Sequence, residues 1–191
     1  GAIVTWQDER SSARIYAQRA SASGTLQWTT DGVTLCNATA AQLSPAIVSD
    51  GAGGAIVAWH GYGLGSPDLG IYAQRVDASG TALWSLNAVP ICTATGYQMT
   101  PAIISDGFSG AIVKWQDNRG GNSEIYAQRV NGSGAVRWTS DGVALTKAIG
   151  YQQYPRITPD GTSGAIIAWQ EYRTGDFGVY VQRLDAAGDV R

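Results

Sequence analysis

The sequence predicts an all-β fold, a β-propeller of four repeats of about 54 residues, each a four-stranded antiparallel blade. Two observations lead to this prediction. The apolar run Gly-Ala-Ile-Val-x-Trp occurs three times and once more as Gly-Ala-Ile-Ile-Ala-Trp, and Ile-Tyr-Ala-Gln-Arg or Val-Tyr-Val-Gln-Arg follows each time. Turns rich in Gly, Asp and Ser separate the runs, and no window has a sustained helical period.

The 191 residues suffice for one domain with a sizeable core, so we treat residues 1–191 as a single propeller domain or a propeller fragment. The repeats occupy residues 1–53, 54–109, 110–163 and 164–191.

The strands of a repeat are expected in a fixed order. The first is the Pro-Ala-Ile-Val type of run, as in Ser44–Asp50, and the second is the Gly-Ala-Ile-Val-x-Trp run. The third is Ile-Tyr-Ala-Gln-Arg, and the fourth is the block ending in Trp28, Trp84 or Trp138 with its valine tail. In the second strand the two faces are both apolar, as a sheet covered on both sides requires.

The terminal repeats are incomplete, since the first lacks its first strand and the last lacks its fourth. The sequence therefore predicts fourteen strands, and we expect a piece of a longer protein or a processed product. Either four blades close with two short ones, or two chains join, or the piece belongs to a larger propeller. Open edges favour pairing with another chain, so we expect self-association through blade edges.

Charge and hydropathy exclude two classes of partner. The chain has 13 basic and 15 acidic side chains and a net charge of -2, so we expect no nucleic-acid binding through phosphate contacts. It has no stretch of about 18 apolar residues, so no membrane-spanning segment is expected.

The favoured candidate ligand site lies before the first strand of each blade, which in propellers borders the central channel. Gln42, Gln98 and Gln152 occupy one position in three repeats, and Tyr97 and Tyr151 precede two of them. These side chains could contact a ligand on the axis. The alternative is that they cap loop backbone groups.

Other repeated side chains have the same two interpretations. The first group comprises Trp6, Trp59, Trp115 and Trp169. These side chains either provide platforms on which sugars stack or fill the space between neighbouring blades. The second comprises the pairs Gln18–Arg19, Gln74–Arg75, Gln128–Arg129 and Gln182–Arg183. These pairs form either binding pockets or a ladder of hydrogen bonds to turn carbonyls and aspartates of the next blade. The packing interpretation is favoured for both groups.

The segments that follow the second-strand tryptophan vary most between repeats. They include the acidic residues Asp8, Asp117 and Glu171, and arginines two positions later. Variable polar loops on a rigid scaffold are where specificity tends to reside, although unconstrained hairpin loops look the same.

The sequence offers little for catalysis. His60 is the only histidine, and Asp50, Asp106 and Asp160 share one turn position, where they are best interpreted as turn formers. No catalytic residue, cofactor or metal site is therefore expected. Cys36 and Cys92 occupy equivalent positions in neighbouring repeats, too far apart for a disulfide, and are predicted to be separate buried thiols.

The motif Gly-Ala-Ile-Val-Ala-Trp with Ile-Tyr-Ala-Gln-Arg resembles repeats of large bacterial cell-surface and secreted β-propeller proteins. The resemblance covers the whole chain and implies the fold and an extracellular or cell-surface location. The turn Asp77–Gly80 before Trp84 is similar to the tryptophan-docking motif of quinoproteins, but it is one residue shorter and lacks its threonine. Ser49–Gly51 with Trp59 is similar to the Asp-box of sialidases, but the tryptophan is too distant. Neither a quinone nor sialidase activity is implied.

Three functions remain open. The first is a non-catalytic binding or scaffold module of a larger protein, with a glycan or a protein as its ligand. The second is a structural segment that self-assembles. The third is a fragment of a propeller glycosidase or lyase, which would require unique acids and bases in one repeat.

Overall fold

The computed structural model describes residues 1–10, 12–63, 67–146, 150–173 and 175–191, which form fourteen strands in four antiparallel sheets. This confirms the all-β class and the expected number of strands. The strands are β1 (Ala2–Asp8), β2 (Arg14–Ala20), β3 (Val33–Thr34), β4 (Gln42–Ser49), β5 (Ala55–Tyr62), β6 (Leu69–Val76), β7 (Val89–Cys92), β8 (Gln98–Ser105), β9 (Ala111–Asp117), β10 (Glu124–Val130), β11 (Val143–Ala144), β12 (Tyr151–Pro159), β13 (Ala165–Arg173) and β14 (Asp176–Leu184). In these ranges no helix is long and apolar enough to cross a membrane.

The four sheets are meanders that follow one another along the chain. The first sheet contains β1–β3, the second β4–β7, the third β8–β11 and the fourth β12–β14. At one edge of the stack β1 lies beside β4, β4 beside β8, and β8 beside β12. We call β4, β8 and β12 the leading strands. The sheets thus stack face to face in chain order, as blades do.

The second and third sheets each bury two apolar faces, because successive side chains of a strand point to opposite sides. In β5, Ala55, Val57 and Trp59 pack on the first sheet. Ile56 and Ala58 pack on the third sheet. We call the face toward the preceding sheet the rear face and the face toward the following sheet the forward face. The packing interpretation of Trp59 is thereby confirmed.

The fourth strand differs from the prediction. It lies wholly in the valine tail, as β3, β7 and β11, and the residues just before the tryptophans form only isolated bridges with the third strand. Trp28, Trp84 and Trp138 therefore lie outside the strands. Their indoles turn away from their own sheet and reach the next one.

A repeated contact, which we call the inter-sheet joint, connects neighbouring sheets. Trp28 Nε1 and an Arg19 guanidinium nitrogen both donate to the carbonyl oxygen of Ala78 in the second sheet, at 3.1 and 2.9 Å. Gly80 lies against the indole, since a Cβ there would be 2.8 Å from Trp28 Cδ2. The joint recurs with Trp84, Arg75 and Gly132, and with Trp138, Arg129 and Ala186.

Two arginines of the joint, Arg75 and Arg129, also pair with an aspartate of their own sheet, and not of the next sheet as predicted. Arg75 contacts Asp50 at 2.9 Å, and the pairs Arg129–Asp106 and Arg183–Asp160 repeat this. The aspartate lies in the hairpin turn before the second strand, and the arginine lies at the neighbouring end of the third. Each aspartate–arginine pair therefore fixes a turn, and Arg75 and Arg129 also reach the next sheet through a carbonyl.

The glutamine beside each arginine holds its own sheet together. Gln74 Oε1 accepts hydrogen bonds from the Arg75 and Trp84 amides, and its Nε2 donates to Ser85 O at 2.7 Å. Gln18 and Gln128 repeat these contacts. The structure thus supports a structural role for this glutamine and not a binding pocket.

Candidate functional site

Each leading strand has a bulge at the same place, at the edge where the sequence analysis puts a ligand. In β4 the pairing register shifts between Leu43 and Ala46, and β8 and β12 repeat the shift. The backbone of Ser44, Thr100 and Tyr154 is left-handed there, with φ of 53°, 51° and 53°. Bulges re-aim side chains, and strained non-glycine residues cluster at functional sites, so this edge is a candidate functional site.

The predicted glutamines lie at this edge but are buried, with at most 2% of their surface exposed. Their amides bind the backbone of the third strand of the preceding sheet. Gln42 Oε1 accepts a hydrogen bond from Ile15 N at 3.1 Å, and Gln152 Oε1 accepts one from Ile125 N at 3.0 Å. With its amide oriented to satisfy its neighbours, Gln98 Nε2 donates to Leu69 O at 2.8 Å. This geometry supports the backbone-capping alternative for all three.

The predicted tyrosines are placed differently. Tyr97 and Tyr151 are both exposed, one residue before glutamines that are buried. Alternation along the strand therefore separates the two kinds of residue, and the structure does not bring them together in one site. A ligand contact through Tyr97 or Tyr151 stays a prediction.

A cationic groove of 340 Å³ opens between the third and fourth sheets, beside two of the bulges. Thr100, Lys114 and Gln116 line one side, and Gln153–Arg156 line the other. Lys114 and Arg156 carry its two positive charges, and no lining residue is acidic. The groove is therefore suited to an anion.

Lys114 is the most unusual side chain of the groove. It is 4% exposed, its Nζ donates to Thr100 O at 3.2 Å, and the described residues give it no ion pair. Burial, together with the nearby charge of Arg156, lowers the pKa of Lys114 to about 8. A buried ammonium without a carboxylate is costly, so the site favours an incoming negative charge.

Sequence reasoning missed Lys114, although a signal was present. The equivalent positions of the other repeats hold Thr5, Ala58 and Ala168, which are small residues on the forward face. A single lysine in a column of small residues breaks the repeat pattern. Comparing the repeats position by position, and not only by their shared motifs, would have found it.

Replacing Lys114 with methionine is expected to raise the free energy of unfolding at pH 7 by about 1 to 3 kcal/mol, because the variant keeps the buried stem and removes the desolvated charge. The folded-state pKa lies below the unfolded value of about 10.4, so the unfolded state binds more protons in the interval. The wild type therefore gains stability between pH 8 and 10.4, and the advantage of the variant shrinks there. Urea denaturation at pH 7 and pH 10 measures both effects.

The exposed Arg137→Met serves as the control for Lys114→Met, because it removes a charge without relieving burial. A Lys114→Met protein no more stable than the wild type at pH 7 would contradict the argument.

Acidic residues at the ends of the second strands lie in clusters with tryptophan and arginine. Trp115 Nε1 donates to Asp117 at 2.8 Å, and Arg119 contacts the same carboxylate at 2.6 Å. The Arg119 guanidinium also covers the ring of Tyr126 at 4.0 Å. The equivalent clusters are Trp6–Asp8–Arg10 and Trp169–Glu171–Arg173.

These acids are therefore strand residues and not members of variable loops, which corrects the sequence analysis. Of the loops that follow them, Ser11, residues 64–66 and Thr174 lie outside the described residues. Burial opposes ionisation of Glu171, but hydrogen bonds from Arg173 and Trp169 outweigh it and lower its pKa. The Glu171 carboxylate is therefore held ionised by donors from its own sheet.

The second sheet lacks this cluster. Gly61 and Gly63 stand where the acid and the arginine occur in the other sheets, and a cavity of 220 Å³ borders Gly63. Trp59, Tyr62 and Tyr72 are among its lining residues. The repeats are thus not interchangeable at this edge.

The remaining reactive side chains are isolated. His60 is buried, its Nδ1 has no partner, and burial lowers its pKa. Cys36 and Cys92 are free and buried, as expected, and burial raises the pKa of Cys92 to about 12. Within the described residues, no group of three or more His, Cys, Asp or Glu side chains could hold a metal ion.

No family model matches the sequence, and no curated protein matches it. Among solved structures, the chain is similar to an endo-arabinase from Bacteroides thetaiotaomicron VPI-5482, with a TM-score of 0.50 and 16% identity over 98% of this chain and 71% of that one. At this identity the likeness concerns the fold alone. The four stacked sheets are therefore the blades of a propeller-like fold.

Proposed function

We propose that the protein is a non-catalytic β-propeller binding module of a larger secreted or cell-surface protein, and that it binds an acidic glycan in the groove between its third and fourth sheets. The observation that carries this proposal is Lys114, a buried ammonium that has no ion pair among the described residues and opens onto a groove whose described lining contains no acid. Proteins retain costly buried charges where function uses them.

The other side chains of the groove suit a sugar that carries a carboxylate. Arg156 is exposed and presents a fork of donors that matches a carboxylate. Tyr154 is exposed beside it and offers an aromatic face on which a pyranose ring can stack. Gln153 adds an amide for hydroxyl groups. Together they favour a uronic acid unit over a neutral sugar.

Binding is favoured over hydrolysis, although the similar solved structure is an endo-arabinase. Glycoside hydrolysis generally requires two carboxyl groups that flank the bond. The groove has no acidic lining residue, and Asp117 and Glu171 are engaged by arginine and tryptophan. We expect no release of reducing ends from arabinan or polygalacturonate, and release by the purified chain would favour the glycosidase alternative.

The binding test uses a galacturonate oligosaccharide and, as a matched ligand, the same oligosaccharide with methyl-esterified carboxyl groups, measured by titration calorimetry. We expect binding of the acid and at least tenfold weaker binding of the ester, because a bidentate charged contact contributes more than 1.4 kcal/mol. Lys114→Met and Arg156→Gln should each weaken binding about tenfold or more. The exposed Arg137→Gln should leave it unchanged.

The pH dependence gives a second readout. Between pH 6.5 and 9.5 the uronate keeps its charge, whereas free Lys114 loses its proton near pH 8. Affinity should therefore fall as pH rises through this range in the wild type but not in Lys114→Met. Equal affinity for the acid and the ester, or no binding of either, would contradict the proposal.

A further inference from the structure

The two outermost faces of the stack are apolar and uncovered. On the forward face of the fourth sheet, Val179 and Val181 are 79% and 60% exposed. Their equivalents in the second sheet, Ile71 and Ala73, are completely buried against the third sheet. The fourth sheet thus presents an interface half that is covered wherever it occurs inside the chain.

The rear face of the first sheet is the other half of the same interface. Val4 is 51% exposed, whereas its equivalents Val57, Val113 and Ile167 are completely buried on the rear faces of the other sheets. Val57 and Ile167 each pack on the forward face of the preceding sheet. One free face is therefore a forward face, and the other is a rear face.

The arginine donor of the inter-sheet joint is unused at one end of the stack, and the acceptor turn of the joint is unused at the other end. The Arg183 side chain is 47% exposed, compared with 14% for Arg75 and 17% for Arg129, which reach the next sheet. Arg183 already pairs with Asp160, as its equivalents pair with their own aspartates. It is therefore oriented for a joint.

The receiving turn exists in the first sheet. The hydrogen bonds from Ser21 N to Thr25 O and from Gly24 N to Ser21 O match those of the turn that carries Ala78. Gly24 has a φ of 84°, close to the 88° of Gly80, but nothing lies within 4 Å of a Cβ placed on it. The carbonyl of Ala22, the equivalent of Ala78, stands in a preformed turn with no indole over the neighbouring glycine.

We infer that a second copy of this chain docks head to tail, with the forward face of its fourth sheet on the rear face of the first sheet. Arg183 of one copy then donates to the Ala22 carbonyl of the other, and Val179 and Val181 pack against Val4. The occupant follows from the chain itself, whose internal interfaces are built from these positions. The contact is heterologous, so two copies close a ring or further copies extend an open stack. Sheet faces, and not the blade edges favoured by the sequence analysis, form this contact.

The test is the solution mass of the chain over a range of concentrations, by sedimentation velocity. We expect species heavier than the 20.1 kDa monomer in the wild type. Val4→Lys and Val181→Lys, which each place a charge on one half, should both be monomeric. Phe108→Lys changes an exposed apolar residue outside both faces and should associate like the wild type.

Mixing the two monomeric variants distinguishes this geometry from other modes of association. Val4→Lys keeps an intact forward face, and Val181→Lys keeps an intact rear face, so the mixture should form a one-to-one dimer that does not grow. Far-ultraviolet circular dichroism and thermal melting confirm that each variant is folded. A wild type that stays monomeric, association that neither variant weakens, or a mixture that does not dimerise would overturn the inference.

Discussion

Replacing Asp50 with alanine is expected to lower the free energy of unfolding by about 3 to 5 kcal/mol, the cost of leaving a buried partner uncompensated. The carboxylate accepts hydrogen bonds from the amides of Ala52 and Gly54, both at 2.8 Å. It also pairs with Arg75 at 2.9 Å and is 1% exposed. The substitution therefore removes the two hydrogen bonds that hold the turn and the ion pair that orients Arg75 toward the next sheet.

Asp77→Ala is the matched control for Asp50→Ala. Asp77 accepts the same type of hydrogen bonds from the amides of Ser79 and Thr81, but it is only half-buried and has no arginine partner among the described residues. Its removal should lower the free energy of unfolding much less than Asp50→Ala does, because it leaves no buried charge uncompensated. Urea denaturation of both variants checks the difference, and losses of equal size would contradict the role assigned to the ion pair.

Acid should remove the same contribution from the wild type. Burial opposes ionisation of Asp50, but the amides and Arg75 outweigh it and lower the pKa of the folded state. The contribution is complete above the unfolded pKa of about 3.9 and disappears as pH falls through the folded value. Asp50→Ala should therefore lose less stability than the wild type below about pH 4.

Replacing Gly54 with alanine is expected to cost about 3 to 5 kcal/mol, because an added methyl group has no space and its neighbour is backbone. A Cβ on Gly54 would lie 2.1 Å from Val76 O and 2.9 Å from Asp50 Oδ2. Val76 pairs with Ala55 in the sheet, so relief requires separating two central strands. The same contact, at 2.1 to 2.4 Å, explains the glycine that begins each repeated run, at Gly1, Gly110 and Gly164.

Gly120→Ala is the control for Gly54→Ala. Its added Cβ would meet only Glu124, at 3.6 Å, an ordinary contact with a flexible side chain. We expect a change within about 0.5 kcal/mol. Thermal melting of the two variants provides the comparison. If Gly54→Ala melts at the same temperature as Gly120→Ala, the close approach does not explain the recurring glycine.

Periodicity predicted the fold because its evidence is local and repeated. The alternation of Ala55, Ile56 and Val57 predicted two covered faces, and both are buried. The sequence analysis placed the fourth strand in the blocks ending in Trp28, Trp84 and Trp138, because tryptophan is enriched in strands. The partner that draws the indole out of the sheet, the Ala78 carbonyl, is about 50 residues away and belongs to another blade.

The site was less predictable for two physical reasons. Gln42 was correctly placed at the leading edge, but which way its amide points depends on Ile15 of the preceding sheet. Lys114 was overlooked because its importance comes from burial without a counter-ion, which arises only when the third and fourth sheets meet. The sequence shows which polar and charged residues are present. Which of them lack a hydrogen-bond or ion-pair partner depends on how distant repeats pack.

The inter-sheet joint has a consequence for how such a protein evolves. Its acceptor is a main-chain carbonyl, which alanine provides at residues 78 and 186 and glycine at residue 132. A duplicated repeat therefore brings its own acceptor for the joint, whatever side chain stands at that position. Selection can then diversify one copy, as at Lys114 or at Gly61, while the attachment between copies is inherited unchanged.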